Sequence, residues 1–81
     1  MRLEMAGWPP EAVSGYAEAS RIYEERRDES GEGASTFDDG AVRNDQGAIL
    51  ARISYNGRVW APGPYDPDAV PIWDNRADGE A

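Results

Sequence analysis

The sequence predicts an α+β domain: one long N-terminal helix packed on a small antiparallel β-meander, with a Pro-rich C-terminal arm. Three observations carry this. Residues 10–29 hold apolar and small side chains at helical spacing. Residues 34–61 alternate in polarity between Gly-containing turns. Pro62, Pro64, Pro67 and Pro71 then break the last stretch, excluding a regular helix or a central strand. At 81 residues the chain has room for a single domain.

The segment 1–33 is the acidic helix region, with eight acids against four Arg. Trp8-Pro9-Pro10 predicts a helix start, because proline at the first helical position lacks only an N–H that would be unpaired there. Glu11 follows in the first turn, where the macrodipole favours an acid. At 100° per residue, Ala12, Val13, Tyr16, Ala19, Ser20 and Tyr23 fall in one inward arc. Ser30-Gly31-Glu32-Gly33 ends the helix. The opposite face carries Glu11, Glu18, Glu25 and Glu29. Glu25 and Glu29 stand about 6 Å apart along the axis, from the rise per residue.

The segment 34–61 is expected to be the meander. Ser35 to Phe37 reads as a short strand, Asp38-Asp39-Gly40 as a turn, and Ala41 to Asn44 as a second strand. Asp45-Gln46-Gly47 is a second turn and Ala48 to Tyr55 the longest strand. In it Ile49, Ala51, Ile53 and Tyr55 share one face, and Leu50, Arg52 and Ser54 the other. Asn56-Gly57 predicts a two-residue type I′ hairpin, which sets Ile53 opposite Trp60. Val70 to Trp73, in the Pro-rich acidic arm 62–81, reads as a short edge strand. Tyr65 and Trp73 are its expected anchors on the domain, and 75–81 is expected to fray.

The chain has no Cys, no His and no Lys; all eight basic residues are Arg. Disulfides are therefore excluded, and the common ligands of structural zinc are missing. The eight aromatic rings are expected to supply much of the core, with oligomerisation or docking on a partner supplying the rest. Without His or Cys the commonest general base and thiol nucleophile are lacking, and no Ser sits in a G-x-S-x-G elbow. Asp38-Asp39 reads as a turn pair. Asp45-Gln46-Gly47 and Asp66-Pro67-Asp68 lack the ligand pattern of a calcium loop, and Gly31-Glu32-Gly33 lacks that of a phosphate loop. The expectation is a protein that is not an enzyme and takes no cofactor or metal. No signal-peptide pattern or apolar run of membrane-spanning length is present. With no Cys, and with Arg in place of Lys as a GC-rich bacterial coding sequence would give, the expected location is the cytoplasm of a bacterial host.

Charge dominates the functional reading. Sixteen acids against eight Arg give a formal net charge of -8. Such a field repels nucleic acid and anionic membranes and attracts basic surfaces. Nucleic-acid-binding proteins present Arg and Lys arrays to a densely charged backbone, and a compact acidic domain can occupy such an array. The expected partner-binding residues are Glu18, Glu25, Asp28, Glu29, Glu32, Asp38 and Asp39. The alternative is an interaction module or accessory subunit that binds through exposed aromatics, with Trp8, Tyr65 and Trp73 as anchors and acidity serving solubility.

The segment Ser35-Thr36-Phe37-Asp38-Asp39-Gly40, following an acidic helix, resembles a stretch in a type I anti-CRISPR family. Those are small, acidic, Cys-free α+β proteins of phages and mobile elements, grouped with DNA mimics. The resemblance implies a non-enzymatic inhibitor that blocks DNA recognition by a CRISPR effector complex. It carries over only Asp38 and Asp39.

Overall fold

The first strand forms where the sequence has least to say. In the computed structural model, which describes residues 1–33, 35–63 and 67–74, β1 spans Arg2–Glu4 and β2 spans Glu11–Ala12. They pair antiparallel, Arg2 with Ala12 and Leu3 with Glu11, and Val13 N–H donates to the Met1 carbonyl at 3.0 Å. The ladder therefore claims the backbone of the residues expected to open the helix. Pro10 is compatible with this, because the ring's fixed φ suits extended backbone as well as a helix start.

The helix α1 spans Tyr16–Ser30, fifteen residues rather than the expected span from 10 to 29. Gly15 sits extended at its N-cap with no side-chain cap, and Glu18 reaches back over it to accept from Ser14 N–H at 2.8 Å. At the other end Gly31 is left-handed, φ 71°, and donates to the Arg27 carbonyl, the usual glycine stop. The inward arc is as the periodicity predicts over its helical part: Ala19, Ser20 and Tyr23 are buried, joined by Arg26.

The remaining strands are β3, Gly40–Arg43; β4, Ile49–Ile53; and β5, Val59–Trp60. One antiparallel sheet runs in the order β2-β1-β3-β4-β5. Ser35–Phe37 is not a strand. Thr36 and Phe37 N–H groups both donate to the Gly33 carbonyl, a turn that sends the Phe37 ring into the core. Gly40 is likewise a strand residue rather than a turn former. A Cβ there would lie 3.0 Å from Tyr23 Cδ2 and 3.2 Å from Leu3 Cδ1, so it is glycine for closeness of packing.

The β3–β4 and β4–β5 loops share one design, and it is not type I′. Asn44 N–H bonds the Ala48 carbonyl and Gly47 N–H the Asn44 carbonyl; Ser54, Arg58 and Gly57 repeat the pattern. Gly47 and Gly57 have φ 85° and 87°, and no non-Gly residue has positive φ among those described. A type I′ turn would need it at Asn56 too. Tyr55 thus joins the loop, and the register moves by one: Ile53 pairs with Val59, and Arg52 with Trp60. Trp60 consequently lies on the outer face, over Arg52 at 5.9 Å, its indole N–H bonded to Ser54 Oγ. The register also shifts between Val42 and Arg43, setting Arg43 opposite Ile49. A bulge of this kind turns side chains off their alternation, and Ile49 is 46% exposed while Ala51 and Ile53 are fully buried.

The core lies between α1 and the inner sheet face, where Leu3, Val42, Ala51, Ile53 and Val59 meet Ala19 and Tyr23, all fully buried. Ser20 Oγ donates to the Gly57 carbonyl at 2.7 Å, tying the helix to the β4–β5 loop. In the C-terminal arm, Trp73 forms a single bridge to Val59 rather than a strand, and its ring packs on the core. Tyr65 and residues 75–81 lie outside the described residues.

Candidate acidic interface

The α1 spacing puts Glu18, Glu25 and Glu29 within a 40° arc at 100° per residue, away from the buried side. Glu25 and Glu29 are exposed and Glu18 is half-buried. Arg21 sits between the first two, 2.8 Å from Glu25 and 3.9 Å from Glu18. Asp28 lies on the flank toward the arm, 3.1 Å from Arg27. On that flank a groove of about 320 Å³ opens between α1 and the arm, lined by Ser20, Arg21, Glu24, Glu25, Asp28 and Trp73.

Glu24 belongs to this groove and was not among the expected site residues, and Trp73, expected only as an anchor of the aromatic alternative, lines it beside the acids. Glu24 follows from helix geometry, four residues before Asp28. Nothing in the sequence places Trp73 beside them, because it arrives through the bridge to Val59.

The turn acids are placed elsewhere. Asp39 pairs with Arg52 at 3.1 Å beside a second, mostly apolar pocket of about 250 Å³ that also includes Ala41, Ile49 and Pro62. Glu32 and Asp38 are exposed and flank the Gly33–Phe37 turn. The structure thus brings Glu25 and Asp28 into one groove. It sets Asp39 on a different surface, with Glu32 and Asp38 in the segment between.

Charge compensation is extensive. Every Arg among the described residues is in an ion pair. Glu29, Glu32 and Asp38 carry carboxylates outside those pairs. Exposed pairs such as Arg21–Glu25 contribute little, so they exchange readily for an incoming cation. Glu4 is different: it bridges Arg2 at 3.0 Å and Arg43 at 2.7 Å, and those hydrogen bonds hold its carboxyl below the usual Glu range. The Tyr23 hydroxyl is pushed upward, by burial first and then by Asp39, and it donates to the Asp38 carbonyl.

Trp8 of the aromatic alternative packs against the core beneath the Arg26 guanidinium, 5.0 Å from its ring centre. Arg26 is itself buried and pairs with Glu11 at 3.3 Å. Trp73 is the other aromatic of that set among the described residues, and it forms the groove wall. Among the described residues no group of three carboxylates is arranged to hold a metal ion, and no helix is long and apolar enough to cross a membrane. Comparison with protein-family models, with curated proteins and with solved structures finds no match for this chain.

Proposed function

We propose that this chain is a non-enzymatic acidic binding protein that engages the basic, nucleic-acid-binding surface of a protein partner. The partner implied by the Ser35–Gly40 resemblance is a CRISPR effector complex in a bacterial cytoplasm, whose DNA recognition the chain would block. The observation that carries the reading is the groove on α1. Glu24, Glu25 and Asp28 line it and the Trp73 indole closes one side. Carboxylates beside an aromatic wall suit a guanidinium or ammonium group, which gains charge-assisted hydrogen bonds and a cation–π contact together. Glu18 and Glu29 extend the negative surface along the helix, Glu32 and Asp38 follow in the segment past the helix end, and Asp39 is a separate contact point beside Arg52. A net charge of -8 steers basic partners in and repels competing nucleic acid.

The test is a four-fold charge reversal, Glu25, Glu29, Asp38 and Asp39 each to Lys, assayed for folding by circular dichroism and for binding to a CRISPR effector complex. The folded variant is expected to lose binding, and the wild-type complex to weaken steeply with salt and to be competed by DNA. Undiminished binding by the folded variant overturns the site. Salt-insensitive binding points instead to the aromatic wall as the main contact.

A further inference from the structure

The segment after α1 is held by three rings. The Phe37 ring lies edge-on between Tyr23, at 5.5 Å, and Tyr55, at 6.4 Å. Each tyrosine hydroxyl then bonds the backbone on one side of the Gly33–Phe37 turn. Tyr55 Oη donates to the Glu32 carbonyl at 2.9 Å and Tyr23 Oη to the Asp38 carbonyl at 3.2 Å. Tyr55 is anchored to the helix in turn, since Arg27 donates to its carbonyl at 2.6 Å and stacks 5.3 Å over its ring. Of the carboxylates so held, Glu32 stands with Asp28 and Glu29 in an unfavourable place. Asp28, Glu29 and Glu32 crowd the C-terminal end of α1, where the macrodipole disfavours negative charge. A chain needing acids for solubility alone has better positions for them.

We propose that Tyr23, Phe37 and Tyr55 form a clasp that presents Glu32 and Asp38 to a basic partner in a fixed arrangement. They act as positioning residues, and the proposal rests on the functional reading above. Pre-ordering the segment removes an ordering cost from binding, so its effect belongs in the dissociation rate. Long-range steering depends on net charge, which the rings do not alter.

The test uses Tyr23→Phe/Tyr55→Phe, which keeps every ring and removes both hydroxyls, with Tyr55→Phe alone as the milder variant in case the pair fails to fold. Amide hydrogen exchange at Thr36 and Phe37 reads the clasp, and an oligoarginine peptide is the binding probe. About 1 kcal/mol per hydrogen bond converts to an exchange roughly fivefold faster for the single variant and over tenfold faster for the double. The peptide is expected to dissociate several-fold faster with its association rate unchanged. Unchanged exchange overturns the clasp. Faster exchange with unchanged dissociation overturns its role in presentation. Failure of wild type to bind the peptide overturns the functional reading and that role with it, whereas the exchange result still decides whether the rings hold the segment.

Discussion

Replacing Gly40 by Ala is expected to destabilise the domain, although the same change in an ordinary strand stabilises it. Alanine narrows the unfolded ensemble and contributes about 0.4–1 kcal/mol where the native backbone accepts it. The Gly40 backbone does accept it, since its φ is not positive. The surroundings do not. The new Cβ would stand 3.0 Å from Tyr23 Cδ2 and 3.2 Å from Leu3 Cδ1, against an optimum of roughly 3.5–4.0 Å between carbons. Neither neighbour has room to retreat. Both are fully buried, and Tyr23 is pinned by its bond to Asp38 and its contact with Phe37. Overpacking of this kind costs about 1–3 kcal/mol, leaving a net loss of about 1–2 kcal/mol and a fall in Tm of roughly 5–15 °C for a domain of this size. Urea unfolding followed by Trp fluorescence reads it directly. Gly33→Ala is the control: no atom lies within 4 Å of its Cβ position, so its midpoint should hold or rise. A Gly40→Ala midpoint at or above wild type would show that α1 does not press on the sheet through Tyr23.

Arg26→Ala should cost about 1–2 kcal/mol in the same assay, because it removes a cation–π contact with Trp8, an ion pair with Glu11 and a buried aliphatic stem at once; an unchanged midpoint refutes the packing of Trp8 on the domain. Glu4→Gln tests the Arg2–Glu4–Arg43 bridge through pH. The folded-state pKa of Glu4 is lowered, so its stabilisation is present above the unfolded value, about 4.3, and is lost as pH falls through the folded value. The gap in urea midpoint between wild type and Glu4→Gln should therefore close on acidification. A gap constant from neutral to acid pH refutes the bridge.

Local periodicity and turn chemistry made the helix interior, β3, β4 and the Asp45–Gly47 turn legible. Ala19, Ser20 and Tyr23 face the core because helical spacing requires it. β1 was not legible: Leu3 is its one apolar residue, and three residues are too few to show alternation. Its pairing with β2 is what moved the helix start from Pro10 to Tyr16, an override of a local signal by a long-range ladder. Asn56-Gly57 marked the turn correctly but not its length, because Tyr55 is held in the loop by Arg27 and Glu32. Phe37 read as a strand residue since its burial comes from a turn between two tyrosines. Of the candidate site, the helical acids were visible as a stripe. The groove was not, because Trp73 reaches it across more than forty residues.

The most direct test of the acidic interface is a titration of the isotope-labelled protein with oligoarginine, followed by NMR. Binding in the α1 groove predicts shifts at Ser20, Glu24, Glu25 and Asp28 and at the Trp73 indole, vanishing at high salt. Shifts confined to the outer sheet face around Arg52 and Trp60, or no saturable shifts at low salt, would contradict it.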